Sequence, residues 1–159
     1  MINRQGFTLP EMIAVIAILV FLALLSVPFV RGYIEDAYNG KAKNYMRELY
    51  EARLNFERDF PGSTVVGNVN FDEIPTCDID AIYEQTTPLA PSILVACKYI
   101  RVSTDVLERY TFAIGQNITD CSPADNYAVV MKGLNGRYSE GCAWITNSGD
   151  IEDDYDNEG

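Results

Sequence analysis

The chain has 159 residues, with 12 lysines and arginines against 23 aspartates and glutamates, so its formal net charge at pH 7 is −11. It contains four cysteines and no histidine, which excludes histidine-dependent catalytic machinery and zinc sites with histidine ligands. A surface of this charge repels nucleic acids and anionic membranes, so nucleic acid is not favoured as a partner.

The first predicted element is an apolar segment from Met12 to Val30, nineteen residues without a charge, closed by Arg31. As a helix it spans about 28 Å, close to the ~30 Å hydrocarbon core of a membrane, whereas apolar core helices usually stop at about 10–14 residues. A secretory signal peptide has a similar apolar stretch, but the residues near Ser26 form a poor cleavage site. A single-pass anchor leaves Glu11 unexplained, because an ionised group in a membrane helix costs up to about 3 kcal/mol.

The stretch QGFTLPEMIAVIAILVFLALLSVP resembles the prepilin signature of type IV pilins and type II secretion pseudopilins. The shared features are a leader at 1–6 with the basic Arg4, Gly6 before the aromatic Phe7, Glu11 five residues after Gly6, an apolar run, and Pro28 within it. The resemblance implies that a membrane aspartyl prepilin peptidase cuts after Gly6 and methylates the new amine of Phe7. Removal of the leader takes away the single charge of Arg4 and changes the net charge from −11 to −12.

The resemblance also implies a role in assembly for Glu11. After the cut Phe7 carries an ammonium, and in a bundle of staggered helices Glu11 of one subunit meets the Phe7 amine of its neighbour. An unpaired buried charge is costly, whereas a paired one is tolerated and fixes register. Pro10, where the family generally has an aliphatic residue, lies in the first helical turn, whose N–H groups lack intrahelical partners anyway. Pro28 is expected to kink the helix or open it locally.

Residues 31–60 are predicted to form the amphipathic half of the same helix, after a transmembrane or filament-core half at 7–30. Apolar or aromatic residues recur every three or four positions, at Ile34, Tyr38, Ala42, Tyr45, Leu49, Ala52, Phe56 and Phe60. Pro61 and Gly62 are predicted to end the helix. The apolar stripe of this half needs a cover from the rest of the chain.

Residues 61–159 are predicted to form a β-rich head that supplies this cover. Segments with alternating or β-branched and aromatic character predict strands at 92–102, 109–118, 126–133 and 142–146. Asn135-Gly136 predicts a tight hairpin turn between the last two strands. An antiparallel sheet with one apolar face packs on the helix stripe, so the sequence predicts an α+β fold, which is also the fold of the pilin family.

The four cysteines, Cys77, Cys97, Cys121 and Cys142, all lie in the head. Outside the cytosol an even count favours two disulfides, and the absence of a CxxC spacing disfavours a metal site. Three pairings are open. Cys77 with Cys97 and Cys121 with Cys142 is favoured because these pairs close the shorter loops, of about twenty residues.

The C-terminal end is strongly acidic, with Asp150, Glu152, Asp153, Asp154, Asp156 and Glu158 within nine residues. Hard oxygen ligands suit calcium, and some pseudopilins bind it in the head, so the first five are candidate calcium ligands. The spacing is not that of an EF-hand loop, and a charged terminal run is more often a solvated, mobile tail. The sequence indicates no other cofactor.

These features predict a structural filament subunit, a type IV pilin or pilin-like protein that serves adhesion, motility or surface attachment. The implied partners are further filament subunits, the prepilin peptidase, the membrane, and an inner-membrane assembly machinery with a cytoplasmic ATPase. The chain would start as a single-pass inner-membrane precursor and end in an extracellular pilus or a periplasm-spanning pseudopilus.

Two alternatives stay open. Within the family, the chain is a type II secretion pseudopilin. Outside it, the chain is a membrane-anchored adhesin or binding module that never polymerises. An enzyme is not expected, because the sequence contains no catalytic motif of the common kinds.

Overall fold

The computed structural model describes residues 8–121, 123 and 127–155. The chain divides into two compact units, Met1–Ala37 and Tyr38–Gly159. The described part of the first unit is helical. The second, here called the head unit, contains the rest of that helix and all of the described strands.

One helix, α1, runs from Leu9 to Asp59 over 51 residues. Within the head unit the predicted stripe is buried to 8% exposure or less at Ala42, Tyr45, Leu49, Ala52 and Phe56, and at Phe60 directly after the helix. Tyr38 of the predicted stripe is only partly buried, and Met46, which was not predicted, is fully buried beside it. The prediction was wrong for Ile34, which is 47% exposed because the head unit begins only at Tyr38. The helix ends as predicted, since Pro61 lacks an N–H for a further turn and Gly62 has a φ of +96°.

Five strands form one antiparallel sheet in the order β1-β2-β3-β4-β5. They are Gly67–Asn68, Tyr110–Ile114, Tyr127–Gly133, Cys142–Thr146 and Ile151–Asp153. On one face Phe112, Met131 and Ile145 are fully buried in the same apolar cluster as the α1 stripe. Tyr45 of α1 meets Phe112 edge-on, with 5.4 Å between the ring centroids. The predicted α+β, pilin-like fold is thus confirmed.

The opposite face of the sheet is covered by the chain that follows β2. Cys121, Val130 and Cys142 are buried there together, with Ile118 and Trp144 partly buried beside them. Both faces of β3 are buried from Ala128 to Met131, so the sequence there is a continuous apolar run and does not alternate.

The segment predicted as a strand at 92–102 is instead a short helix followed by a turn. Three short helices lie between β1 and β2, namely α2 (Ile79–Glu84), α3 (Ser92–Ala96) and α4 (Thr104–Leu107). After α3, the N–H of Lys98 donates to the Val95 carbonyl at 3.0 Å and that of Tyr99 to the Leu94 carbonyl at 2.8 Å. This is a Schellman helix end, which usually has glycine where Lys98 stands. An apolar run without that glycine does not distinguish a buried strand from a buried helix.

The hairpin between β3 and β4 is present, but its turn is not the predicted tight one. The two strands pair antiparallel, and eight residues, 134–141, join them. Asn135 has an extended φ of −150°, whereas a two-residue turn of this kind needs a positive φ at both central positions. The loop folds back instead, and a Cβ at Gly133 would collide with the Tyr138 carbonyl. Room for this close approach requires glycine at position 133.

Candidate functional site

The first turn of α1 holds Glu11, the carboxylate that the sequence singled out. Its Oε2 accepts hydrogen bonds from the N–H and the Oγ1 of Thr8, both at 2.7 Å. The N–H groups of Glu11 and Met12 donate to the Thr8 carbonyl at 3.1 and 3.2 Å. Thr8 is therefore the N-cap of α1, and Glu11 at the third helical position satisfies an N–H that the helix leaves without a partner.

Sequence reasoning missed this local role of Glu11, although the T-x-x-E spacing of Thr8 and Glu11 is its signal. The second oxygen, Oε1, accepts no hydrogen bond from the described residues. Pro10 lies in the same turn, where its missing N–H interrupts no intrahelical bond. The carboxylate thus caps its own helix with one oxygen and retains the other for a further donor.

The predicted cleavage and methylation positions, Gly6 and Phe7, lie outside the described residues.

In the first unit, the surface of α1 that follows Glu11 is apolar all round and exposed among the described residues. Every large apolar side chain described between positions 9 and 25 is 48–75% exposed. Within the described residues, α1 is the one helix long and apolar enough to cross a membrane. Its most apolar stretch of 18 residues has a mean hydropathy of 3.0. The α-helix is not interrupted at Pro28.

Basic side chains of α1 pair with acidic side chains of the head. Lys43 Nζ lies 2.5 Å from Asp153 Oδ2, and both side chains are at most 30% exposed. Lys41 Nζ lies 2.5 Å from Asp105 Oδ2 at a more exposed position. Hydrogen bonds from Lys41 and then from Ser103 lower the pKa of Asp105 below its ordinary value. Lys43–Asp153 thus links α1 to β5 and Lys41–Asp105 links it to α4, while burial of the stripe supplies most of the stability.

The cysteines form two disulfides, Cys77–Cys97 and Cys121–Cys142, with Cα atoms 5.0 and 5.9 Å apart. This is the pairing that the shorter loops favour. Cys97 follows α3, so the first disulfide ties that helix to the segment after β1. Cys142 begins β4, so the second fastens the covering segment to the outer face of the sheet.

The described part of the acidic end contains a strand, where the sequence favoured a solvated tail. Ile151–Asp153 form β5 and pair with β4. Each described carboxylate of this region has a different partner: Asp150 accepts from Ser148, Glu152 from Trp144, Asp153 from Lys43 and Asp154 from the Cys142 N–H. These contacts compensate the negative charges and so allow an acidic segment to join the sheet. Acidic residues on an edge strand also discourage pairing with another chain.

The described carboxylates do not converge on a metal site. No group of three potential ligands comes together within the described part of the chain. Asp156 and Glu158 lie outside it. The calcium site therefore stays a prediction from composition.

Residues 1–27 match the family model described as the prokaryotic N-terminal methylation motif. The matched range contains Gly6, Phe7 and Glu11, the residues on which the resemblance depends. No curated protein sequence and no solved structure matches the chain. The motif implies processing by a prepilin peptidase and assembly into a filament in general terms.

Proposed function

We propose that this chain, which has the class III prepilin-type N-terminus shared by type IV pilins and pseudopilins, is a structural subunit of a type IV pilus or pilus-like filament. The peptidase cuts after Gly6, the amine of Phe7 is methylated, and copies assemble through α1. Glu11 of one copy then pairs with the Phe7 amine of a neighbour. The filament serves adhesion, motility or surface attachment.

The observation that carries this proposal is the contrast between the two parts of α1. From Tyr38 onward the helix buries its apolar stripe in its own head, whereas the apolar side chains before position 26 are exposed on every side. Exposed apolar surface of that extent needs lipid around the precursor and neighbouring helices in the assembled state. A membrane-anchored precursor that polymerises through this segment satisfies both requirements.

Oε1 of Glu11, which accepts no hydrogen bond from the described residues, makes the intersubunit pairing compatible with the helix cap. Oε2 takes both hydrogen bonds from Thr8, so Oε1 accepts a neighbour's ammonium without loss of the cap. A carboxylate accepts hydrogen bonds at both oxygens. Pairing then removes the cost of an isolated charge in an apolar bundle.

The partners that follow are the peptidase, the inner membrane, and an assembly machinery whose cytoplasmic ATPase supplies the energy. The type II secretion pseudopilin alternative shares all of these steps and differs in the filament's location. Abundant extracellular fibres containing the chain favour a pilus, whereas short periplasmic filaments linked to secretion favour the pseudopilin.

Replacement of Glu11 by Ala tests polymerisation against the non-polymerising adhesin. In cells with the assembly machinery, Glu11→Ala is expected to reach the membrane but to form few or no filaments in sheared fractions. Glu51→Ala, which removes an exposed carboxylate from the head part of the same helix, is the matched control and is expected to assemble normally. Normal filaments from the Glu11 variant would contradict the proposal.

The mass and N-terminal residue of the purified wild-type protein provide the second measurement. The expected mature chain begins with a methylated Phe7. A native protein that keeps residues 1–6 would contradict processing, whatever the filaments look like.

A further inference from the structure

The head unit has a surface groove of about 380 Å³ beside the start of β2. β1 ends at Asn68, and the N–H of the next residue, Val69, donates to the Phe112 carbonyl at 2.8 Å. Asn70 then turns the chain, because its Oδ1 accepts the N–H of Asp72 at 2.9 Å. The groove lies between this turn and α4.

Much of the groove wall is apolar. Four aliphatic or phenyl side chains line it, namely Val69, Phe71, Val102 and Leu107. Val69 is buried, whereas Phe71 and Leu107 are half-buried and Val102 is exposed. Apolar surface is thus open to solvent in the groove, and a ligand with an aliphatic body gains free energy by covering it. The volume is at the lower end of the range for ligand pockets, about 300–1,000 Å³, so it suits a small molecule.

Two carboxylates line the same groove. Asp72 belongs to the turn after β1 and Glu108 is the C-cap of α4, so they come from different walls. Both residues are exposed, and neither carboxylate forms a hydrogen bond or an ion pair with another described residue. No lysine or arginine is among the described residues that line the groove. The groove therefore offers two negative charges to a ligand.

The complementary ligand is an organic cation. Basic side chains near α4 have other contacts, since Lys41 pairs with Asp105 and the guanidinium carbon of Arg109 lies 4.0 Å from the ring centroid of Tyr38. A calcium ion needs six to eight oxygen ligands, whereas no group of three potential ligands comes together within the described part of the chain. Carboxylates combined with aliphatic surface match an ammonium group on a carbon chain.

We propose that this groove binds a linear aliphatic diamine. Its methylene chain packs on Val102 and Leu107, and its two ammonium groups pair with Asp72 and Glu108. Because the N–H groups of both acidic residues are hydrogen-bonded within the head, binding requires little ordering of the backbone. All of the lining residues belong to one head, so the site does not depend on a filament.

Calorimetric titration of the full chain in nonionic detergent with 1,5-diaminopentane measures this binding. We expect saturable binding at one site per chain. Pentylamine, which has the same carbon chain and one ammonium group, is expected to bind about two- to fivefold more weakly, because one exposed ion pair is lost. Magnesium ions carry the same charge as the diamine without a carbon chain, and are expected not to displace it at equal concentration. Equal affinity for the two amines, or displacement by magnesium, would overturn the proposal.

Replacement of the carboxylates locates the charges that the ligand uses. Asp72→Asn and Glu108→Gln are each expected to weaken diaminopentane binding about two- to fivefold and to abolish its advantage over pentylamine. Glu140→Gln removes an exposed carboxylate that does not line the groove, and this matched control is expected to bind like wild type. A loss of the same size in the control would show that the diamine is only a counterion of the acidic head, which would overturn the proposal.

The apolar wall provides a test that leaves every charge in place. Val102→Ser is expected to weaken diaminopentane binding about two- to fivefold, because aliphatic contact is lost. Val102 is exposed, so the melting temperature of the free protein is expected to stay unchanged, and this measurement shows that the variant is folded. A folded Val102→Ser variant that binds like wild type would overturn the proposal. These titrations do not involve assembly, so their failure would leave the filament role of Glu11 unaffected.

Discussion

At the scale of single residues, Thr8 and Glu11 give the N-terminus of α1 two functions in four positions. Glu11 satisfies the N–H and hydroxyl of Thr8 through one oxygen. The same side chain, through its other oxygen, is the proposed partner of a neighbour's amine. Since the cap orients the carboxylate before assembly, less side-chain entropy remains to be lost when subunits meet.

Removal of the Thr8 hydroxyl is therefore expected to loosen the first turn of α1. Thr8→Val keeps the shape of the side chain and loses its hydrogen bond to Glu11, at a cost of about 1 kcal/mol. In detergent-solubilised precursor, amide exchange at the first helical turn is expected to become about fivefold faster. Thr8→Ser, which retains the hydroxyl, is the control. Equal exchange in the Val and Ser variants would show that the hydroxyl contributes nothing.

The backbone favours glycine at both position 98 and position 133, but only position 133 has it. Gly133 avoids a collision with the Tyr138 carbonyl, so packing within the head accounts for it. Lys98 has the positive φ of a Schellman helix end, in which the N–H groups of Lys98 and Tyr99 close the end of α3.

At the scale of elements, the two disulfides fasten parts that the sheet and α1 leave loose. Cys121–Cys142 holds the covering segment on the outer face of the sheet, next to Trp144. Cys77–Cys97 holds the segment between β1 and α2 against the end of α3. Each disulfide reduces the conformational entropy of the unfolded chain, and so stabilises the short helices and the covering segment in the folded head.

Removal of either disulfide is expected to lower the stability of the head by about 3 kcal/mol, because the closed loops are of similar length. The two losses differ in their optical signature. Cys121→Ala/Cys142→Ala is expected to shift the emission of Trp144, the one tryptophan of the chain, toward that of a solvated indole. Cys77→Ala/Cys97→Ala is the matched control and should leave the emission unchanged. A shift in both variants, or in neither, would contradict this assignment of the covering segment.

At the scale of the whole molecule, charge and apolar surface are segregated along the chain. Residues 60–159 contain 16 acidic and 5 basic residues, so they account for the whole net charge of −11, while residues 1–59 are neutral overall. The exposed large apolar side chains concentrate in the opposite part, before position 31. The head is thus suited to water and the first half of α1 to lipid or to other helices.

A fragment of residues 31–159, produced in an oxidising compartment, is expected to be soluble and monomeric in light scattering without detergent. The physical reason is that it keeps the buried α1 stripe and the like charge of the heads, and loses the uncovered apolar helix. The full chain is expected to require detergent. Association of the fragment at micromolar concentration would contradict this prediction, because it would show that heads bind one another without the first half of α1.

The sequence by itself determined the elements that depend on long, local patterns. Nineteen uncharged residues specify a membrane-capable helix, and Gly6-Phe7 with Glu11 five residues after Gly6 specifies its motif. A three- to four-residue repeat specified the buried stripe from Tyr38 to Phe60. The strands β2, β3 and β4 were also readable in outline, because five or more β-branched, aromatic and apolar residues cluster in each.

Only the tertiary structure decided the features that depend on contacts distant in sequence. β1 has two residues and β5 has three, too few for a periodic signal, and they are strands because β2 and β4 offer them hydrogen bonds. The helix at 92–96 ends with a lysine where glycine is usual, so its local pattern was ambiguous and burial against the core decided it. The surface groove lined by residues 69–72 and 104–111 exists only when these two segments meet, since no local pattern places two distant segments side by side.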